Sequence, residues 1–452
     1  MAMQSLSNIN PVDGRYQKIT RPLSAYFSEE ALIRYRIMVE VKYFLALTDI
    51  PLPPLSQIKK EDLEKALSVI DTFDHSHALR IKTIEEETNH DIKAVEYFIK
   101  ERFDAFGMQK YREMVHFGLT SQDINNTAIP LSLKEGLEAV IYPALHELLN
   151  KIRELSNKWL QVPMLARTHG QPASPTSMGK ELRVFHERLT QQMIMLKALP
   201  FNAKFGGATG NFNAHHVCYP DVDWNSFADR FVQSLGLERS RITTQIDHYD
   251  GLAAIFDNLK RLLTILIDLA RDCWSYVSMD YFTQKVMESE TGSSAMPHKI
   301  NPIDFENAEG NAGIAIALLE HLSAKLPVSR LQRDLSDSTV LRNIGVPLGH
   351  MLIALKAITK GLGKISLNIA KINDDLEKHT VVVAEAIQSM LRSMNYPEPY
   401  EGLKKLTRQN RIITREMIDQ YIDELDIDPK DKERMKKISP FNYTGIIPDP
   451  LP

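Results

Sequence analysis

The run TGSSAMPHKINP, residues 291–302, groups side chains that could carry out acid–base chemistry. It places Gly292, Ser293 and Ser294 a few residues before Lys299, and its prolines exclude a helix interior. A serine becomes a base or nucleophile only where backbone amides and positive charge stabilise its alkoxide, and a Gly-Ser-Ser turn followed by lysine could supply both. By composition alone a surface loop is the stronger interpretation, because Gly and Ser are common in turns. No G-x-S-x-G elbow is present in the sequence, which argues against an acyl-transfer hydrolase.

Two histidines lie in motifs where they could move protons. His169 sits in RTHGQP, and the ordinary imidazole pKa near ~6.5 suits it to donate a proton to a leaving group. Bracing the start of a helix is an equally good interpretation of this residue. His90 precedes Asp91, which could orient or charge the imidazole, although Asn-His-Asp is also a good helix start. The residue types alone leave both alternatives open.

Two other patterns fall short of a binding motif. The pairs His75 with His77 and His215 with His216 lack the i, i+4 spacing and the carboxylate context of a helical zinc site, so we predict no metal ion. The run GGATGN, residues 206–211, lacks the preceding strand that a phosphate-binding glycine loop needs.

Several cations lie in loops rich in Ser, Thr, Gly or Asp, where guanidinium groups commonly bind carboxylate or phosphate through two hydrogen bonds. These cations are Arg15, Lys299, Arg330, Arg333 and Arg342. Scattered surface arginines are the alternative interpretation. The proximity of the last three to Ser336, Ser338 and Thr339 favours an anion site.

Long amphipathic helices are expected to position these loops. Apolar residues recur at i, i+3, i+4 and i+7 from Leu252 to Val277, and a continuation to Val286 would give a rod of about 50 Å. Similar patterns run over 177–199, 312–326, 348–372 and 144–160. Alternating strand patterns are scarce, and the tail 447–452 is expected to be frayed.

These patterns predict an all-α protein built around an elongated central bundle of long helices. We expect a smaller helical N-terminal domain over residues 1–109, the long-helix bundle over 110–365 and a helical C-terminal domain over 366–452. A chain of 452 residues exceeds what one hydrophobic core usually organises, which favours such a division.

Composition narrows the class of protein. Hydrophobic residues at 43% and charged residues at 25% are ordinary for soluble proteins, and no apolar run is long enough for a membrane span or a secretion signal. Only Cys218 and Cys273 occur, which excludes a disulfide framework and fits a reducing compartment. The net charge of −4 disfavours a nucleic-acid-binding face. We therefore expect a cytoplasmic protein with neither a membrane nor a nucleic acid as partner.

Taken together, the loops resemble those of a known family. TGSSAMPHKINP is similar to the signature G-S-S-x-M-P-x-K-x-N of the fumarase/aspartase superfamily. Over residues 5–445 the sequence resembles the branch of this superfamily that acts on succinylated purine nucleotides. The segments that carry the resemblance are VDGRY (12–16), TNHDIKAVEY (88–97), TSQDINN (120–126), RTHGQPASPTSMGKE (167–181), TTQID (243–247) and SRLQRDLSDSTVLRN (329–343).

The resemblance implies both an architecture and a reaction. Members of the superfamily are all-helical homotetramers with a long-helix bundle, and three subunits contribute to each active site. The resembled branch cleaves adenylosuccinate to AMP and fumarate, and also cleaves the succinyl-aminoimidazole-carboxamide ribotide of purine biosynthesis. Small-molecule nucleotides are the substrates, and no cofactor is implied.

The resemblance also assigns roles by motif position. Ser293 would be the general base that removes a proton from the succinyl β-carbon, and His169 the general acid that protonates the departing nitrogen. His90 would hold the succinyl group or its partner histidine, while Lys299 and Asn301 would bind carboxylate and stabilise the carbanion-like intermediate. Phosphate and ribose would be held by Arg15, Tyr16, Arg333, Ser338 and Arg342, and the pocket completed by Asn89, Asp91, Thr120, Ser121, Thr168, Gln245 and Asn307.

Three alternatives compete with this interpretation. Argininosuccinate lyase, aspartase and fumarase share similar signature loops, but a small amino-acid substrate would not require VDGRY or RDLSDSTVLRN. A non-catalytic protein on the same scaffold, as among lens crystallins, would not need Ser293, His169, His90 and Lys299 together. A helical nucleic-acid-binding module would need a basic face, which the composition does not supply.

Overall fold

The computed structural model describes residues 7–285, 299–407 and 413–451. Its α-helices are α1 Gln17–Thr20, α2 Ser24–Phe27, α3 Glu29–Leu47, α4 Lys60–Asp71, α5 His75–Thr88, α6 Asp91–Ala105, α7 Ser121–Gly136, α8 Tyr142–Lys158, α9 Met178–Lys197, α10 Asn213–Cys218, α11 Trp224–Ser234, α12 Asp250–Ser278, α13 Ile303–Lys325, α14 Ser336–Leu341, α15 Gly345–Lys364, α16 Ile369–Lys378, α17 Ala384–Ser393, α18 Pro399–Thr407, α19 Arg415–Glu424 and α20 Pro429–Lys436. Its strands are β1 Pro163–Thr168, β2 Gln171–Ser177, β3 Asn202–Lys204, β4 Glu238–Ser240, β5 Phe282–Gln284 and β6 Ile365–Leu367.

Helices dominate, and the predicted all-α class is confirmed. The strands form two-stranded pairs: β1 with β2 antiparallel, β3 with β4 parallel, and β5 with β6 antiparallel. Among the described residues, no helix has both the length and the apolar character required to cross a bilayer.

The longest helix ends earlier than its apolar pattern allowed. Helix α12 has 29 residues, which corresponds to about 43 Å. It stops at Ser278 because Asp280 adopts a left-handed conformation, with φ of 59°, and the Tyr281 amide turns back to the Tyr276 carbonyl. The chain then enters β5, so the continuation to Val286 was wrong.

A second predicted helix, 348–372, is two helices. Helix α15 ends at Lys364, β6 pairs with β5, and the Asn368 side chain accepts a hydrogen bond from the Lys371 amide at 3.3 Å to begin α16. Apolar periodicity continued through the break because β6 is itself apolar on one side. In contrast, α13 begins at Ile303, nine residues before the predicted start. The apolar pattern did not reveal these residues because the first turns of the helix are polar.

The structure comprises two compact units. One contains residues up to 145, 192–266 and 310–356, and the other contains 146–191, 267–309 and the chain from 357 onward. The divisions fall inside the long helices α9, α12, α13 and α15 and within α8. The three-domain division expected from the sequence stays a prediction.

The core of the first unit surrounds α3. This helix begins after Ser28, whose hydroxyl accepts a hydrogen bond from the Ala31 amide at 3.1 Å. Apolar side chains are buried on most faces of this helix, among them Tyr35, Ile37, Val39, Val41, Tyr43 and Phe44. Two charged side chains, Arg36 and Glu40, are buried with them and therefore need charged partners.

The second unit has its own apolar cluster and a fixed tail. Val383, Ile387, Leu391, Ile418 and Ile422 form the centre of the cluster. The tail is held by the side chain of Asn157. Its Nδ2 donates to the Leu451 backbone carbonyl and its Oδ1 accepts from the Leu451 backbone amide, each at 2.9 Å. The expectation that the tail is frayed was therefore wrong as far as Leu451.

Candidate active site

The predicted site residues fall into two groups, one in each compact unit. The first unit carries Arg15, Tyr16, Asn89, His90, Asp91, Thr120, Ser121, Gln245, Arg333, Ser338 and Arg342, and the second carries Thr168, His169, Lys299, Asn301 and Asn307. Ser293 lies outside the described residues. Hydrogen bonds join Asp91 to Arg342 and Gln245 to Arg333.

The Asn-His-Asp motif lies at a helix start. Asn89 ends α5 in the left-handed conformation, with φ of 52°. His90 then caps α6, because its Nδ1 accepts a hydrogen bond from the Lys93 amide at 3.1 Å. A neutral His90 ring in this role carries its proton on Nε2. The motif thus combines the structural role with an imidazole that is half-exposed, at 52% of the side chain.

Asp91 is held between two arginines. Its Oδ2 accepts hydrogen bonds from Arg36 Nη2 at 2.6 Å and from Arg342 Nη2 at 2.9 Å, and its Oδ1 accepts one from the Ile92 amide. Burial opposes ionisation, but the Arg36 charge, the Ile92 amide and the Arg342 charge together hold the pKa of Asp91 below its usual value.

Sequence reasoning missed Arg36. It lies among the buried side chains of α3, 3% exposed, and its Nε also donates to Asn125 Oδ1 at 2.9 Å. The run LIRYRIMVEV is largely apolar but contains Arg34, Arg36 and Glu40, and a charge on the apolar face of such a helix could have signalled a buried arginine with a carboxylate partner. Arg36 therefore joins Asp91, at the start of α6, to Asn125 in the TSQDINN segment. These two partners lie 55 and 89 residues from Arg36 along the chain.

An open cleft borders these charges. Its polar side includes Glu29, Arg36, Asn125, Ser338 and Arg342, and its apolar side includes Tyr26, Phe27, Leu32, Ile129, Leu341 and Ile344. Charged donors beside an apolar wall suit a ligand that has an anionic group and a flat or apolar body.

Helix α14, which carries Ser338, is held by buried polar contacts. The buried Asp337 accepts hydrogen bonds from the Tyr249 hydroxyl at 2.8 Å and from the Ser338 amide at 2.7 Å. Asn126 donates to the same Tyr249 hydroxyl at 2.8 Å. In the segment just before α14, Arg333 Nη1 donates to Gln245 Oε1 at 3.3 Å. The segment is therefore fixed before any ligand binds.

Thr120 and Ser121 begin α7, and Asp123 fixes this start. The Asp123 carboxylate accepts a hydrogen bond from the Thr120 amide at 2.8 Å. Its other oxygen accepts one from Lys204 Nζ at 2.7 Å, and both charged side chains are fully buried. Burial lowers the pKa of Lys204 although Asp123 opposes that shift.

The glycine run 206–211 requires a correction. A strand, β3, does precede it, and only its three-residue length hid it from pattern analysis. The amides of Gly206 and Gly207 point to Asp123 Oδ1, at 2.8 and 3.1 Å. These glycine amides bind a carboxylate of the same chain. In a phosphate-binding loop, amides in such positions would bind the phosphate instead.

A histidine paired with a buried glutamate was also not predicted from the sequence. His116 precedes the TSQDINN segment, and its Nδ1 lies 2.6 Å from Oε1 of Glu40, which is fully buried. Burial disfavours the imidazolium, but Glu40, with contributions from Glu96 and Asp123, raises the pKa of His116 above its ordinary value.

In the second unit, His169 occupies the turn of the β1–β2 hairpin. Thr168 pairs with Gln171, so His169 and Gly170 form a two-residue loop, with φ of 52° and 74°. Positive φ at both central positions is the requirement of a type I′ turn. Asn, Asp and His tolerate this conformation better than other non-glycine residues, which explains a histidine at the tip. The imidazole is exposed.

The hairpin is anchored by Asp375. Its carboxylate accepts hydrogen bonds from Arg167 Nη2 at 2.9 Å, Tyr281 hydroxyl at 3.0 Å and Lys371 Nζ at 3.1 Å. Because Arg167 lies two residues before His169, these contacts hold the strand from which the turn projects.

Lys299 and Asn301 lie in the segment that leads into α13. Gln284 Nε2 donates to the Ile300 carbonyl at 3.0 Å, which fixes the backbone between the two residues. Lys299 is exposed and Asn301 is half-buried, while Asn307 lies in the second turn of α13.

Three other histidines, His215, His75 and His77, make contacts within the protein. His215 is buried with its Nε2 2.9 Å from the Tyr43 hydroxyl, and burial lowers its pKa to about 4. His75 pairs with Glu30, and His77 Nδ1 accepts a hydrogen bond from the Asp74 amide at the start of α5.

Comparison with known proteins identifies the family of the chain. The sequence profile described as "Lyase" matches residues 14–316, and the one described as "Adenylosuccinate lyase C-terminal" matches residues 329–444. The adenylosuccinate lyase of Dictyostelium discoideum is 54% identical over 457 residues, covering 99% of this chain and 98% of that protein. The adenylosuccinate lyase of Escherichia coli K12 is 43% identical over 452 residues, covering 98% of each.

Solved structures agree with the fold. The fumarate lyase from Mesorhizobium sp. BNC1 has a TM-score of 0.73 at 18% identity and covers 95% of each chain. The 3-carboxy-cis,cis-muconate lactonizing enzyme from Pseudomonas putida has a TM-score of 0.70 at 19% identity, covering 94% of this chain and 93% of that one. The lyase profile spans more than half of the sequence, so the protein is a lyase with this helical fold. Within that class, the chain belongs to the adenylosuccinate lyase family, as the motif resemblance predicted.

The His116–Glu40 pair predicts a pH-dependent stability. Because the folded pKa of His116 is raised, the pair stabilises the fold fully below the unfolded pKa of ~6.5 and loses this contribution as pH rises through the raised value. Glu40→Gln should therefore lower the unfolding temperature most near pH 6 and progressively less towards pH 9, measured by thermal unfolding. The exposed Glu86→Gln serves as the control. A deficit that is constant with pH would contradict the raised pKa.

Proposed function

We propose that this protein cleaves adenylosuccinate into AMP and fumarate, and cleaves the succinyl-aminoimidazole-carboxamide ribotide by the same β-elimination. The observation that carries the proposal is near-full-length identity of 43–54% to proteins named adenylosuccinate lyase. The C-terminal profile match begins at residue 329 and so includes Arg333, Ser338 and Arg342, the residues proposed to hold the nucleotide.

The cleft in the first unit supports a nucleotide as ligand. Ser338 and Arg342 offer hydrogen-bond donors for phosphate on its polar side, and Tyr26 and Phe27 contribute to an apolar wall. Arg15 and Tyr16 are proposed to add to the phosphate and ribose contacts, with the Arg15 guanidinium 6.0 Å from the Tyr16 ring centre. Asn89, Asp91, Thr120, Ser121, Gln245, Thr168 and Asn307 are proposed to complete the pocket.

Elimination needs a base, an acid and stabilisation of negative charge. Ser293 is proposed to take the proton from the succinyl β-carbon, and His169 to protonate the departing nitrogen. Removing this proton builds charge on a substrate that is already polyanionic, so Lys299 and Asn301 are proposed to stabilise the intermediate. His90, with Nδ1 occupied by the helix cap, is proposed to hold the succinyl group through Nε2 or to contact its partner histidine.

We propose a cytoplasmic homotetramer whose active sites are shared between subunits, with an N-terminal domain over 1–109, a bundle over 110–365 and a C-terminal domain over 366–452. Exposed large apolar side chains on the long helices support self-association, including Ile194 and Met195 on α9, Trp274 on α12 and Ile314 on α13. Buried in an assembly, these side chains would no longer be exposed to water.

The substrate is tested by direct product analysis. The purified protein should convert adenylosuccinate to AMP and fumarate, and leave argininosuccinate, malate and aspartate unchanged, when products are identified by mass spectrometry. Fumarate from one of the other compounds would keep the elimination chemistry but refute the nucleotide assignment. Absence of product from all four would refute catalysis.

His169→Asn and Ser293→Ala test the acid and the base. Asparagine tolerates the left-handed turn conformation of residue 169, so this substitution removes the proton donor while keeping the hairpin. Each variant should lose about 10²–10⁴-fold in kcat, the usual contribution of a general acid or base, while binding AMP as the wild type does. His146→Asn, a surface histidine on α8, is the control. Normal turnover by either variant would refute its role.

Shared active sites predict complementation. Mixing His169→Asn with Ser293→Ala under conditions of subunit exchange should restore activity, because some sites would then combine a native His169 with a native Ser293 from different chains. Mass spectrometry of intact oligomers verifies the exchange. Mixed oligomers without recovered activity, or an active monomer, would contradict site sharing.

A further inference from the structure

We propose that Glu29 is an internal anion that occupies Arg342 in the free protein and is exchanged for the phosphate of the bound nucleotide. Glu29 then sets how tightly a nucleotide, including the product AMP, is held. This inference rests on the proposed function, and it assigns a role to a residue that the motifs did not single out.

The geometry shows that Arg342 is already engaged by carboxylates. Its Nη1 lies 3.0 and 3.2 Å from the two carboxylate oxygens of Glu29, and its Nη2 donates to Asp91 at 2.9 Å. Both terminal nitrogens that would bind a phosphate therefore have protein partners. A phosphate that takes two hydrogen bonds from the terminal nitrogens has to share them with these carboxylates, and because like charges repel, its binding favours the release of one carboxylate.

Glu29 is the carboxylate that is easier to displace. Asp91 is held by the buried Arg36 at 2.6 Å and by the Ile92 amide, and its side chain is 24% exposed. Glu29 is 43% exposed, and its other cationic neighbour, Lys82, lies 3.8 Å away and is closer to Glu85, at 2.7 Å. An exposed pair such as Glu29–Arg342 is weak in water, whereas the contact with a buried arginine is not.

The position of Glu29 in the fold makes its release inexpensive. It is the first residue of α3, where the free amides and the helix dipole stabilise negative charge. A Glu29 carboxylate that leaves Arg342 therefore remains beside a helix N-terminus and within reach of Lys82. The cleft lies next to this pair, so a ligand can approach while the exchange takes place.

Charge balance gives the expected direction. The group contains three cations, Arg36, Arg342 and Lys82, and three anions, Asp91, Glu29 and Glu85. Glu29→Gln removes one negative charge beside the phosphate position and frees Arg342. The dissociation constant for AMP should fall about three- to tenfold, the scale expected for one partly screened charge.

Calorimetry of the full-length wild type, Glu29→Gln and Glu30→Gln tests the inference, with AMP, inorganic phosphate and adenosine as probes. Glu30 is the matched control, since it is adjacent on α3 but pairs with His75. We expect tighter binding of AMP and phosphate by Glu29→Gln alone, no change for adenosine, and a smaller change as salt is raised. A general loss of structure would instead weaken all three ligands.

Glu29→Asp guards against a folding defect, because it keeps a charge at the start of α3 but shortens the side chain that reaches Arg342. It should tighten AMP binding by less than Glu29→Gln does. If the wild type binds AMP and neither variant binds it more tightly, the role of Glu29 is refuted while the proposed function stands. If the wild type neither binds AMP nor cleaves adenylosuccinate, both the proposed function and this inference fail.

Discussion

The fully buried pair of Asp123 and Lys204 is the constraint on which the first unit depends. The Asp123 carboxylate accepts hydrogen bonds from Lys204, from the Thr120 amide and from the amides of Gly206 and Gly207. It therefore joins the start of α7 to the loop after β3. Removing one partner of a buried pair typically costs about 3–5 kcal/mol, because the other charge is left without compensation. The TSQDINN segment is thereby held in place before any substrate binds.

The same principle organises the Asn-His-Asp motif. Buried Arg36 requires a carboxylate, and Asp91 supplies it while also contacting Arg342. One arginine is buried and paired, and the other is partly exposed, so the proposed binding of a nucleotide would use charges that also stabilise the fold. Preorganised charge of this kind is what a reaction that accumulates negative charge requires.

The hairpin in the second unit solves a different problem. A turn with positive φ at two successive residues restricts the choice of side chain, and His169 meets this restriction while presenting an exposed imidazole. The Asp375 contacts to Arg167, Tyr281 and Lys371 then fix the strand below it. Position and chemistry of the proposed acid therefore follow from one local structure.

The sequence by itself determined the helical class and the family, because helical periodicity is local and the signature motifs are contiguous. It also proposed His169 and Asp91 as candidate site residues, because both lie inside those motifs. Only the tertiary structure revealed Arg36 opposite Asp91, 55 residues away, Lys204 opposite Asp123, 81 residues away, and the strand before Gly206. A three-residue strand exists only because a distant strand pairs with it, and a buried charge is stable only beside its partner, so neither can be deduced from neighbours along the chain.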